Sequence, residues 1–596
     1  MAQSPSTNAE GVVRVTLTSN GKPIADAIEL VSVTIHRAVN AIPTARLVLH
    51  DGDIAQQDFP LSDQDVFKPG AEISISAGYG EDEEKLFDGV VVKHGVKITG
   101  DNLARLVVEC RDKTVKMTIG RENANFIDQT DSDIIAKLIR SHGLAADVAA
   151  TTSTFKELVQ YGCTDWDFAL ARAEVNGFLV TVNDGKVSAK PPQTDAAARL
   201  TVTYGLDLIE FHADVDAGTQ LSSVTSVAWN PKTQSVVQSD PARPESLNRQ
   251  GDLSSAQLAA VVGPGELTIR TSAPKDKDVL ATWAKAQQVK AGLARIRGRM
   301  KFQGSAEARL GEMIELAGVG KRFNGNVLVT AVAHDIADGN WVTEVEFGLA
   351  PDWFVERPDV RAPAASSWLP AVSGLQIGIV KKLDTDPEGE SRVRVSVPVT
   401  QAVQDSVWAR LMNFYGSSGF GAFFVPEIGD EVVLAYFNND PSHPVILGSL
   451  YSSARKPPYE LSAENNTKAI VTRCKSKIEF DDDKKIITVT TPGNNKVVLS
   501  DDGKSILLQD QHSNKAELGA AGITLDSPKD IKISAKGSIT IDAIGAISIS
   551  SKADVKSSGL NVSCDAQVGF TAKGAASAEL SASGQTVVKG AMVMIN

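Results

Sequence analysis

The chain has 596 residues, 42% of them hydrophobic and 22% charged, with a formal net charge of -13. At roughly 100 to 200 residues per domain, that length holds about three to five domains with cores of useful size. The acidic balance argues against nonspecific attraction to nucleic acid or to anionic lipid.

Met1 to Ser19 carry no basic segment followed by an apolar one, and no later stretch reaches the roughly 18 to 20 apolar residues needed to span a bilayer. Synthesis and folding in the cytoplasm are therefore expected. From Gly11 to Lys116, "VVRVTLTS", "ARLVLHD", "AEISISAGYG" and "LARLVVECRDKTVKM" alternate apolar and polar residues between Gly, Asp and Asn breaks. This predicts a β-barrel or strongly curved sheet. In "DSDIIAKLIRSHGL" the period changes: Ile134, Ile135, Leu138 and Ile139 share a helical face, Asp131 or Ser132 can cap it and Gly143 can end it. "TDWDFALARAEVNGFLV" predicts a second helix, from Thr164 or Asp165 to Gly177.

Strand patterns return in "RLTVTYGLDLIEFHADV" and "SSVTSVAWN", a helical stretch follows near Lys277 to Ile296, and two further β segments lead to Ala350. Pro351, Pro358, Pro363 and Pro370 mark a linker. Between Gly374 and Ser453, "LQIGIVKKL", "SRVRVSVPV", "DSVWARLMN", "AFFVPEIGDEVVLAYF" and "PVILGSLYS" are about five strand candidates, a count that fits the small closed Greek-key barrel called the OB-fold. Gly429 in "PEIGDEV" is free to take positive φ at the joint.

Beyond Tyr459 the text settles into short alternating strands. Ile531, Ile539, Ile547 and Val555 fall at a fixed eight-residue step, as do Ile533, Ile541 and Ile549, with Gly537 and Gly545 at the corners. One octapeptide supplies a strand and a corner, too little to enclose a core. Its faces must be completed by successive repeats of one chain, as in a solenoid, or by neighbouring chains wound into a triangular prism. The expected fold class is mainly β with some α. The expected organisation is a first hub β-barrel domain (1–120), a mixed helical region (121–200), a second hub barrel (201–360), a linker (361–373), an OB-fold (374–455), a neck (456–477) and a needle (478–596).

In this order, "DSDIIAKLIRSHGL", "VQYGCTDWDFALARAEVNGFLV", "VLVTAVAHDIADGNWVTEVEFGLA", "GIVKKLDTDPEGESRVRVSVP" and "GFGAFFVPEIGDEVVLAYFNNDPSHPVILGSLYSS" resemble a VgrG-type spike of contractile injection systems. That family is similar to the hub and needle of phage baseplates. The resemblance covers nearly the whole chain. It implies a homotrimer with an intertwined triple-stranded β-helix, and Ile531, Ile533, Ile539, Ile541, Ile547 and Ile549 as the needle core. It implies an inner tube protein and baseplate or hub proteins as partners, no cofactor, and transient contact with a target membrane as sheath contraction drives the needle through the envelope. Two similar barrels per chain would give six units per trimer, a match to a hexameric tube ring. The lack of a long extension after Asn596 makes the chain similar to the lean spikes of extracellular, phage-tail-like particles, a type VI secretion spike being the other reading. Ala591, Met592, Val593, Met594, Ile595 and Asn596 would form a blunt apolar tip for a PAAR-like cap protein, or close the helix on themselves.

Chemistry is sparse. No phosphate loop, HExxH or Gly-x-Ser-x-Gly elbow occurs, and the roughly 26 residues between Tyr451 and Ile478 are fewer than the ~50 an inserted lysozyme-like domain would need. Cys110, Cys163, Cys474 and Cys564 lie too far apart in sequence for a close-paired zinc motif. His334 could pair with Asp335, though a structural role is expected, as it is for His443. Asp481 to Asp483 would ring a threefold axis with carboxylates, or form a solvated turn. Metal, catalytic and cofactor residues are therefore read as none, and the chain as not an enzyme. The competing functions are a trimeric adhesin and a spike-linked cell-wall hydrolase.

Overall fold

In "TARLVLH" the inward positions of a two-residue period are Ala45, Leu47 and Leu49, and all three are buried in the strand Thr44–His50. The computed structural model describes residues 2–7, 11–24, 28–100, 103–263, 265–401 and 406–595. They fall into two compact units, 1–450 and 451–596.

In the first unit, thirteen strands form one sheet. The N-terminal strands, among them Val13–Ser19, Leu30–Ala38, Glu72–Tyr79 and Ala104–Arg111, wrap a core containing Ile35, Phe67, Ile75, Phe87 and Val108. Strands Leu208–Val215, Ile296–Gln303, Gly325–Ala337 and Asn340–Phe347 wrap another around Met300, Phe302, Val332 and Phe347. The two β regions share an antiparallel seam from Ala331 opposite Ala38 to Ala337 opposite Ser32. Trp341 and Ile336 cross it to join the N-terminal core. Two edges that would otherwise show unpaired N–H and C=O groups satisfy each other along this seam. Asp338 and Gly339, at φ 52° and 75°, make the tight turn between the last two strands, a pair of left-handed positions that Asp-Gly adopts readily.

Helices lie between the β regions in sequence. Asp131–Ser141 starts at Thr130, one residue before the expected cap, because the Thr130 hydroxyl accepts from the Asp133 N–H at 3.2 Å while the Asp133 carboxylate accepts from the Thr130 N–H. Thr164 caps Asp165–Val175 in the expected place. These helices share a core of Ile134, Ile139, Trp166 and Leu170 with the small sheet of Ala145–Val148, Leu179–Asn183 and Lys186–Lys190. Lys277–Leu293 is helical as expected. The helix Ser255–Val262 was not anticipated, although its capping box, Ser254 with Gln257, stands in the sequence ahead of an apolar run.

Gln376–Lys382, Val393–Ser396, Ser406–Leu411, Pro444–Ser449 and Glu431–Tyr436 close into a five-stranded barrel in that spatial order. Val380, Val395, Ala409, Val432, Leu434 and Ile446 fill it. Of the long candidate "AFFVPEIGDEVVLAYF", only its end is a barrel strand. The earlier residues form a loop, because Pro426 supplies no ladder donor and Gly429 turns the chain at φ 85°.

The second unit starts with seven five-residue strands, each antiparallel to its neighbour in sequence, from Thr467–Val471 to Gly522–Asp526. The first part of the span read as needle, 478–526, thus pairs within its own chain, because turns such as Asp501 to Lys504 fold each strand back on the last. From 528 to 595 every residue is exposed and none lies in an assigned strand.

Candidate functional site

The meander's register sorts its side chains into rows. Phe480, Ile487, Leu499, Ile506, Leu518 and Ile523 face one another across successive strands, and beside them run Ile470, Ile478, Val489, Val497, Leu508, Ala516 and Leu525. Residues two apart in a strand share a face, so both rows lie on the same side. The other side carries Lys477, Glu479, Thr488, Lys496, Gln509, Lys515 and Glu517 around Val498 and Leu507. The apolar rows stay open: Phe480 is 38% exposed, Leu499 42% and Leu525 61%. A groove of about 660 Å³ runs beside the second row, lined by Val489, Val497, Leu508, Ala516, Leu525 and Ile531 together with polar residues such as Asn495, Gln509, Asp510 and Asn514. An antiparallel sheet has one face for a core and one for water, and here no described residue of the chain covers the core face.

The repeat beyond it is barer. Ile531, Ile539 and Ile547 are each more than half exposed, and Ile533, Ile541 and Ile549 more so. Met592, Val593, Met594 and Ile595 are exposed at the end together with Ala591, and Asn596 lies outside the described residues. The single chain therefore brings neither the six isoleucines nor the terminal group into a core. Sequence reading passed over the two meander rows, yet their signal is present as a 19-residue step from Ile478 to Val497 and from Phe480 to Leu499.

The barrel has apolar surface of its own. Between Leu411 and Glu431 the chain leaves the barrel, and Phe414 and Phe423 are almost fully exposed, with Tyr415, Phe420 and Phe424 more than half exposed. The short ladder of Gly416–Ser417 with Phe420–Gly421 orders the middle of this loop by backbone pairing.

The residues considered for chemistry separate. His334 is buried, and its Nδ1 accepts from the Trp341 indole N–H at 3.3 Å and lies 3.0 Å from the Thr343 hydroxyl. Burial, with nearby Arg37 adding to it, pushes its pKa down to about 3, so it stays neutral. Asp335 points to the opposite face, where it accepts from Thr34, as neighbours in a strand must. His443 is exposed in the turn before Pro444. Asp481 accepts from the Lys484 N–H at 3.0 Å and Asp482 pairs with Lys468, so these acids lie in a hairpin turn. Among the described residues no group of three or more His, Cys, Asp or Glu is placed to hold a metal ion. Cys474 is exposed, and hydroxyls of Ser476 and Thr472 bring its thiol down to about 7.

The hub sheet, the closed barrel and the meander leading into a bare octapeptide tail resemble the parts of a VgrG-type spike protein, and the chain is similar in sequence to proteins of that class. Residues 9–338, more than half of the chain, match the family described as the Alg8 N-terminal domain, and the chain belongs to that family. Residues 376–451 match the type VI secretion system/phage-baseplate injector OB domain. The chain is 29% identical over 152 residues to the actin cross-linking toxin VgrG1 of Vibrio cholerae, covering 24% of this chain and 13% of that protein. It is 32% identical over 134 residues to the type VI secretion system spike protein VgrG4b of Pseudomonas aeruginosa, covering 20% and 15%. The chain thus spans well under two thirds of the length of these relatives. Among solved structures, the prophage MuSo2 43 kDa tail protein of Shewanella oneidensis matches with a TM-score of 0.44 at 12% identity, covering 57% of this chain and 98% of that one.

Proposed function

We propose that the chain is the central spike of a contractile injection system, a homotrimer that rides at the front of an inner tube and breaches the target envelope when a sheath contracts. The observation that carries this reading is the stretch 528–595, which has isoleucines at an eight-residue step, every described residue exposed and no assigned strand. Such a segment has neither a core nor a ladder alone, and three copies around one axis would supply both. Backbone hydrogen bonds between stacked strands, each worth only ~0.5 to 1.5 kcal/mol net, would then be loaded together along the shaft.

In this role the two β regions of each hub present six similar units per trimer to a hexameric tube ring, and baseplate proteins hold the hub. A PAAR-like protein caps Met592 to Ile595. The action is mechanical, without cofactor or catalysis. The chain is made in the cytoplasm and assembled there into a contractile particle. Light scattering on the purified full-length chain tests this. A mass of three chains supports the spike, and a stable monomer removes it.

A further inference from the structure

We infer that the meander 467–526 is the registration clamp of the trimer: its apolar face binds the same face of two further copies and sets the level at which the three octapeptide tails start. This rests on the trimeric reading above.

The need for a clamp follows from the repeat. Sliding one chain by eight residues puts Ile539 where Ile531 was and Ile541 where Ile533 was, so the first levels of the shaft, where the tails must meet, present the same isoleucines in the slipped register as in the correct one. Side-chain matching specifies register only where neighbouring positions differ. The tail also has no assigned strand within its own chain, so its order must come from association.

The meander has what the tail lacks. Each strand pairs with its sequence neighbour, so the sheet forms within one chain by local contacts and presents its face ready-made. The positions along it are unequal, with Phe480 at one level and Ala516 at another, so three copies match best strand for strand. About a dozen Ile, Leu, Val and Phe side chains at the exposures seen offer on the order of 800 Å² per copy, what one partner contributes to a stable interface.

The occupant is a further pair of copies because of the face's shape. Each five-residue strand, about 17 Å long, turns only two side chains to that face, a strip that fits one wall of a three-sided prism. The strip also runs directly into the tail: Ile531 lines the same groove as Leu508 and Leu525. Once the clamps close, the tails are held together at high effective concentration with their starting levels aligned.

The test uses the full-length chain. In a Cys163→Ser, Cys474→Ser background, Cys564 is the one exposed thiol among the cysteines, and a pyrene label there gives excimer emission when three tails sit at one level. We expect a trimer with excimer. The double variant Ile487→Asp, Leu499→Asp on the apolar face loses the excimer, whether or not the mass stays at three chains. Thr488→Asp, on the opposite face of the same strand, keeps it. Excimer retained in the apolar-face variant, or lost equally in Thr488→Asp, overturns the clamp while leaving the trimeric spike standing. A monomeric parent protein overturns the reading beneath it instead.

Discussion

Asp131 opens one hub helix and Arg172 lies near the end of the next, and they meet through two hydrogen bonds, Nε to Oδ1 at 2.7 Å and Nη2 to Oδ2 at 3.0 Å. Asn176 donates a third, at 2.7 Å to Oδ2. The carboxylate is buried and the guanidinium nearly so. Removing one partner of such a pair leaves a charge without its counterpart. Asp131→Ala should therefore destabilise the hub by ~3 to 5 kcal/mol, read as a lower denaturant midpoint, whereas a loss below ~1 kcal/mol would show that Arg172 finds another acceptor or water.

Gly304 packs against Trp341 so closely that a Cβ there would sit 2.1 Å from the indole ring. Trp341 belongs to the N-terminal core that crosses the seam, so it has little room to retreat. Gly304→Ala should cost ~1 to 3 kcal/mol by overpacking, and the pairing of Trp341 with Tyr79, 5.5 Å between ring centroids, should be disturbed. Thermal melts and near-ultraviolet circular dichroism would report the two effects together.

His334 gives the hub a pH dependence with a definite sign. Its folded pKa is pushed down to about 3 from 6.5, so below 6.5 the unfolded chain binds a proton that the folded chain refuses. Its contribution to stability is complete above 6.5 and falls as the pH drops towards 3, with a slope approaching ~1.4 kcal/mol per pH unit. Denaturation curves at pH 7 and pH 5 should separate more for the parent protein than for His334→Gln. An equal separation would mean that other groups set the acid limb.

The four cysteines should differ sharply in reactivity. Cys474 is exposed with its thiol at about 7, whereas burial pushes Cys110 up to about 12. The thiolate is the nucleophile. Iodoacetamide labelling of Cys474 should therefore reach half its limiting rate near pH 7, while Cys110 stays unlabelled in the folded protein; peptide mass spectrometry resolves the two sites.

Much of this architecture was legible from local patterns. The alternation in "TARLVLH", the helical face of Ile134, Ile135, Leu138 and Ile139, and the five short strands after Gly374 all appear as elements. The misses share a cause. Thr130 took the cap from Asp131 because only its hydroxyl sits where the Asp133 N–H points, and Phe423 left the barrel because Pro426 and Gly429 outweighed an apolar run. The candidate site was half legible: the eight-residue step is plain in the text, whereas the meander face leaves only a 19-residue step, since "KVVLS" and "SILLQ" show which residues alternate but not which strand lies beside which.

What the sequence by itself determined is periodicity, and with it the element types, the five-strand barrel and the octapeptide, because side-chain direction follows from a period of two or 3.6 residues. What only the tertiary structure decided is pairing. Joining Leu30–Ala38 to Gly325–Ala337 makes one sheet of two distant regions, and stacking seven short strands turns scattered isoleucines, valines and leucines into a continuous apolar face. Both depend on contacts between residues far apart in sequence or on register across several turns, and local period carries no information about either.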